Sequence, residues 1–197
     1  FAGHMPVFLY GNQFSFVETA RYHAMSVESI IGMPTRVIGD LLIGFIIFGV
    51  ALQITGGGKF FMDFASALLG HSRGGPAKVS VLASGFFGSL TGSVISNVVT
   101  TGSMTIPTMK RTGYSSEYAG AVESCASTGG CIMPPIMGTA AFVMASFLNM
   151  HYIYIAAAAV IPAILYYTGL LVQVDCYAAR TGLKGLPKSE IPPAWAT

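Results

Sequence analysis

Apolar residues run through this chain in long blocks, with the charged side chains gathered between them. Eighteen uncharged residues separate Asp40 from Lys59, 31 separate Lys78 from Lys110, and 51 separate Glu123 from Asp175. A helix that crosses a bilayer needs about 20 mostly apolar residues, so the blocks predict several helices able to enter a membrane. Residues 1–33 are mixed, with a Gly11-Asn12 turn signal and Glu18, Arg21 and Glu28 breaking a weak helical period. They read as a connector with one surface helix over Ser15–Ile31. Residues 34–55 read as a first crossing helix. Its apolar run Val37–Ile54 is interrupted by Asp40 and Gln53, and Gly56-Gly57-Gly58 ends it, because glycine readily leaves the helical conformation.

Residues 58–70 form a short amphipathic segment, with Phe60, Phe61, Phe64, Ala65 and Leu68 near one face and Lys59, Asp63 and Ser66 away from it. Its core Lys59–Leu69 spans only about 16 Å as helix, too short to cross, so it is expected to lie flat in the membrane interface. Residues 77–111 then hold a run too short for two spans. A single span would leave its polar middle, Ser89-Leu90-Thr91-Gly92-Ser93, without a role. A re-entrant hairpin with two arms of about 14 residues, each near 21 Å long, accommodates both facts. Arg73, Lys78, Lys110 and Arg111 stand at its mouth, on the cytoplasmic side by the positive-inside rule. Irregular backbone at that depth requires protein or a water-filled cavity around it.

Residues 114–149 read as a discontinuous crossing helix, interrupted at Ser127-Thr128-Gly129-Gly130 and followed by Pro134-Pro135. Residues 152–175 read as a plain span carrying Pro162, and 176–197 as a cytoplasmic connector with Arg180, Lys184 and Lys188. The fold class expected is therefore an all-α membrane protein.

Composition sharpens the class. With 53% hydrophobic and 9% charged residues, against roughly a quarter charged in soluble domains, a soluble enzyme, a nucleic-acid binder and a disordered linker are excluded. The net charge of +2 reports topology more than partners. Cys125, Cys131 and Cys176 have neither CxxC spacing nor a His partner and read as small membrane-buried side chains. His4, His23, His71 and His151 lie outside the apolar runs, without ligand spacing. The chain opens on Phe1 with no leader and reads as an internal piece of a longer protein.

Candidate chemistry gathers at the hairpin tip and the helix break. Ser93, Ser96, Asn97, Thr100 and Thr101 fall on one helical face, which in lipid must look inward, either as helix–helix glue or toward a ligand. Unwound backbone frees carbonyl oxygens, and small hard cations take oxygen ligands. Half-helix N-termini offer N–H groups to an anion. Gly92, Gly129 and Gly130 permit the backbone angles such a site needs. Glu123 is the one carboxylate near it; an intramembrane acid suggests a proton carrier or cation ligand, while its early place in the helix favours structural pairing. Asp40 reads as an interfacial residue paired with Arg36.

The segments GSLTGSVISNVVTTGSMTIPTMKRTGY (88–114) and EYAGAVESCASTGGCIMPPIMGTAAFVMA (117–145) closely resemble the large membrane subunit of tripartite ATP-independent periplasmic (TRAP) transporters, nearest to the type with small and large subunits fused. The likeness is strong over about 74–149; GLKGLP at 182–187 also fits, and the first 35 residues match loosely. The resemblance implies a sodium-coupled, elevator-type importer of organic acids in the bacterial inner membrane. It also implies a periplasmic substrate-binding protein and a small four-helix membrane subunit as partners, no cofactor, and Na⁺ as coupling ion. Each large subunit of that family holds two inverted repeats, and this chain has the length of about one. Carried over by motif, the sodium ligands would come from Ser89, Thr91, Gly92, Ser93, Asn97, Ser127 and Thr128. The substrate side would come from Ser93, Ser96, Asn97, Thr100, Thr128, Gly129 and Gly130.

Other functions compete with this one. A binding-protein-independent divalent-anion/sodium symporter shares the hairpin and broken-helix plan. A non-transporting membrane anchor would need none of the polar tip. A membrane hydrolase would need a base beside Ser89, Ser93 or Ser96, and no His or Lys shares their apolar run. An ATP-driven pump would need a GxxxxGK[ST] loop, which the chain does not contain.

Overall fold

The computed structural model describes residues 14–26 and 43–187, with Ser29, Gly32, Thr35 and Gly39 between them. Every regular element among the described residues is helical. Two compact units divide at Ile43. In the first, α1 (Phe16–Met25) begins at a capping box in which Ser15 and Glu18 satisfy each other's backbone N–H groups, and it stops at Ser26. It is shorter than the surface helix expected to reach Ile31 because Ser26 takes an extended conformation. The suggested Arg36–Asp40 pair and the start of the first crossing helix lie outside the described residues, as does Lys188.

Among the described residues seven helices follow: α2 (Ile43–Ile54), α3 (Gly57–Leu69), α4 (Gly75–Thr91), α5 (Val94–Arg111), α6 (Ser116–Gly129), α7 (Thr139–Phe147) and α8 (Tyr152–Thr181). Glycine sets the joints. Gly74 and Gly92, with φ of 67° and 60°, bound α4 at both ends, and Pro76 sits in its first turn, where a missing N–H costs nothing. The arms α4 and α5 hold 17 and 18 residues, longer than the 14 read from the pattern. Gly75 and Pro76 start the first arm early, and helix continues through Pro107 to the basic pair Lys110-Arg111, whose charge suits a helix C-terminus.

Helices α4, α5 and α6 pack mutually, with α3 against α4 and α8 against α4 and α6. Small residues let them approach. A Cβ on Gly85 would stand 3.1 Å from the Tyr167 ring, and one on Gly102 would stand 3.0 Å from Cγ of Glu123. The core joins Ala77, Val81, Met109, Tyr114, Ala119, Val122, Ala126, Tyr167 and Val174. Rings of Tyr114, Tyr118 and Tyr177 stack at its edge.

Helix α3 turns its aromatic face outward. Its buried positions are Gly58, Met62, Ala65 and Ser66, so Ser66 faces inward while Phe60, Phe64 and Leu68 remain exposed. Small side chains face the hairpin because only they allow close approach, with Gly58 set against Thr100. Phe61 and Phe64 reach instead along the surface to Phe86. Helix α8 also departs from the pattern. It runs past Val174 to Thr181 and stops at Gly182, in the left-handed conformation. Among the described residues it is the helix long and apolar enough to cross a membrane, with a mean hydropathy of 2.1. Ile153, Ile161, Ile164, Leu165 and Val172 line its exposed face.

At the hairpin mouth, Asp175 of α8 accepts from Lys78 Nζ at 2.7 Å and pairs with Arg73. The residues after α8 fold back here: Leu186 N–H donates to the Gly70 carbonyl at 2.8 Å, and Gly185 lies against the His71 carbonyl.

Candidate functional site

The hairpin turn and the interrupted helix meet backbone to backbone. Gly88, one turn before the tip, packs on Gly130: a Cβ on either would come within 2.7 Å of the other's Cα. Ile136 N–H donates to the Ser89 carbonyl at 3.0 Å, and Cys131 Sγ lies 3.4 Å from the Gly92 carbonyl oxygen. Gly138 N–H closes the loop onto the Cys131 carbonyl at 2.8 Å. Met137 holds a left-handed φ of 59°, unusual for a residue with a side chain. On the outside, the Tyr152 hydroxyl faces the carbonyls of Pro135 and Ile136, and its ring stacks on Phe142.

The interruption falls later than the sequence pattern suggests. Ser127, Thr128 and Gly129 are still helical, and the irregular segment runs from Gly130 to Gly138. Local bonding accompanies it: Ser127 Oγ donates to Glu123 at 3.1 Å and Thr128 Oγ1 to the Ser124 carbonyl at 2.7 Å, both back into the helix, which ends at Gly129 ahead of Pro134-Pro135.

The expected site residues separate accordingly. Asn97 and Thr101 are fully buried, whereas Ser96 and Thr100 are half-buried and Ser93 is exposed, its Oγ accepting from Ser96 N–H to cap α5. Ser89 Oγ donates to the Phe86 carbonyl at 2.8 Å. Thr91 Oγ1 is buried with no hydrogen-bond partner. Thr128 is exposed, while Ser127 beside it is buried. Gly129 packs against Tyr166 and Tyr167 of α8, away from the tip. The structure thus brings Ser89 and Gly92 against the irregular segment and Gly88 with Asn97 against Gly130, sets Thr91 beside Gly49 of α2, and leaves Thr128 on an exposed side of α6.

Behind the tip lies a cluster only partly legible in the sequence. Glu123, with no exposed surface, accepts from five hydroxyls. Its Oε1 takes Thr101 at 2.5 Å, Ser84 at 2.9 Å and Ser127 at 3.1 Å, and its Oε2 takes Ser80 and Thr105, both at 2.6 Å. The buried polar line on α5 is Asn97, Thr101 and Thr105, at successive intervals of four. Ser80, Ser84 and Gly88 repeat that interval on α4. These two ladders were the available signal for Ser80, Ser84 and Thr105, which the stripe read from α5 alone does not contain. Asn97 Nδ2 donates to the Ser84 carbonyl at 2.8 Å, tying the arms together.

Cys125 and Cys176 lie on outward helix faces and Cys131 is half-buried; all three are free thiols. No cluster of His, Cys, Asp and Glu suited to a metal occurs among the described residues.

Residues 2–197 match the family model described as "Tripartite ATP-independent periplasmic transporter, DctM component". The chain belongs to the DctM family. It is similar to the C4-dicarboxylate TRAP transporter large permease protein DctM of Pseudomonas aeruginosa, 34% identical over 148 residues that cover 75% of this chain and 34% of the relative. The protein of the same name from Vibrio cholerae is 34% identical over 149 residues, covering 75% and 32%. The sialic acid TRAP transporter permease protein SiaT of Haemophilus influenzae is 24% identical over 182 residues, covering 88% and 29%. This DctM-family chain therefore spans about a third of the length of the curated relatives it matches, and its family is a transporter component, not an enzyme.

Proposed function

We propose that this chain supplies one half of the ion and substrate site of a sodium-coupled importer in the bacterial inner membrane. Its substrate is an organic acid delivered by a periplasmic substrate-binding protein. The observation that carries the reading is the apposition of the hairpin turn Thr91–Ser93 to the irregular segment Gly130–Gly138, with the buried Thr91 hydroxyl left unbonded. A buried polar atom without a partner is costly, and a cation seated at the tip gives it one. Ser89 and Ser127 donate their protons elsewhere but keep lone pairs for an ion. Asn97 Oδ1 and the Gly92 carbonyl complete a neutral oxygen set suited to Na⁺. Thr128 drops out of that set because it is exposed. Ser93, Ser96 and Thr100, along the more open side of α5, and the N–H groups opening α7 are the substrate side, where a helix N-terminus favours an anion.

In this reading α4 and α5 re-enter the membrane from the cytoplasmic side, α3 lies in the interface, and the unit moves as an elevator. Relatives named for C4-dicarboxylate, sialic acid and isethionate support an organic anion as cargo. The small four-helix subunit is either separate or fused ahead of this segment, which the flanking coding sequence decides. The test is uptake by the complete permease in proteoliposomes. Accumulation should require both an inward sodium gradient and the binding protein. Uptake driven by a proton gradient with sodium absent overturns the coupling, and uptake without the binding protein overturns the delivery.

A further inference from the structure

We propose that Glu123 is the fixed counter-charge for the cation at the hairpin tip: it binds no ion directly but sets how tightly the ion is held. The proposal rests on the sodium reading above and adds to it a residue outside the ligand set.

Two observations carry it. First, every hydrogen bond to this fully buried carboxylate comes from a neutral hydroxyl, on Ser80, Ser84, Thr101, Thr105 and Ser127. An ionised carboxylate is acceptor-only, and a ring of five donors matches it. Hydroxyls disperse its charge without cancelling it, and a buried charge without a counter-ion is expensive. No Lys, Arg or His pairs with Glu123 among the described residues; the acidic partner of Arg73 and Lys78 is Asp175.

Second, the ring is continuous with the tip on one side. The Thr101 hydroxyl, 2.5 Å from Glu123 Oε1, is also 3.2 Å from Asn97 Oδ1, and Ser127, a candidate ligand, touches Oε1 directly. A cation held by Asn97 and Ser127 therefore sits one hydroxyl away from the negative charge. Contacts at 2.5–3.1 Å leave no room for an ion inside the ring itself, so Glu123 acts across the hydroxyls by field. At such a separation in a protein interior, loss of one charge weakens cation binding by about tenfold or more.

The experiment measures the sodium concentration for half-maximal uptake by the complete permease with its binding protein, in wild type, Glu123→Gln, Glu123→Asp and Thr105→Val. Gln keeps shape and removes charge; Asp keeps charge and shortens the reach; Val at 105 removes one clasp on Oε2 and leaves the charge. The expected result is a rise of about tenfold or more for Gln, and a change within about threefold for Asp and for Thr105→Val, with maximal rates at saturating sodium much less affected. A purely structural clasp gives the opposite order, with Asp and Thr105→Val worse than Gln, and that result overturns the proposal. An unchanged sodium requirement in Glu123→Gln overturns it too. If Glu123→Gln does not assemble, a sodium requirement raised tenfold by Thr105→Val is sufficient to refute it. Sodium-independent uptake by the wild type is a different failure, that of the sodium reading itself.

Discussion

The carbonyl oxygen of Met137 stands 1.9 Å from the point a Cβ on Gly92 would occupy. Hairpin turn and helix break therefore touch through backbone at Gly92, with the Cys131 thiol beside the same residue's carbonyl. Gly92 also has a φ of 60°, which costs a residue with a side chain roughly 1–2 kcal/mol. Gly92→Ala combines that strain with the overlap, and it should lower the thermal midpoint of the complete permease and depress uptake. An unchanged midpoint would mean that the turn can move off Met137 freely.

Thr91→Val separates stability from ion binding. The hydroxyl has no partner, so its removal should leave the thermal midpoint in sodium-free buffer unchanged or slightly raised, since no hydrogen bond is lost. The sodium requirement for uptake should rise severalfold. A fall in sodium-free stability with an unaltered sodium requirement would show that the group is structural.

Tyr167 anchors the last helix to the end of α6, its hydroxyl donating to the Ala126 carbonyl at 2.9 Å. Tyr167→Phe should cost about 1 kcal/mol. Tyr167→Ala also opens the packing against Gly85 and Gly129 and should cost about 3–5 kcal/mol. Unfolding of the detergent-solubilised permease compares them, and equal losses would place the whole effect in the hydroxyl.

The Asp175 cluster gives a salt signature. Its carboxylate accepts from Lys78 at 2.7 Å and pairs with Arg73. The difference in thermal midpoint between wild type and Asp175→Asn should be small, because the pair is exposed, and it should shrink as salt is added. A difference that grows with added salt contradicts the assignment.

Part of the helical layout was legible because glycine and charge punctuate it: Gly56 and Gly92 bound helices, and Lys110-Arg111 closes the second arm. The position of the break was less so. Ser127-Thr128-Gly129-Gly130 looks like a helix breaker as a string, yet two of its hydroxyls bond within the helix and the interruption falls at Gly130–Gly138. Thr128 and Gly129 show the same limit, since which face of α6 meets the hairpin depends on the packing of α8. The Glu123 ring is the clearest case. Each of Ser80, Ser84 and Thr105 is unremarkable in sequence and acquires meaning only when two ladders of interval four converge on one carboxylate.

The hydrogen bond from Leu186 to the Gly70 carbonyl has a mechanical consequence. Gly70 precedes the first hairpin arm and Leu186 follows the last helix, so the bond, with Gly185 against His71 and Asp175 against Arg73 and Lys78, closes α4 through α8 into a loop. A displacement of the hairpin therefore strains residues 183–187 rather than being absorbed by them.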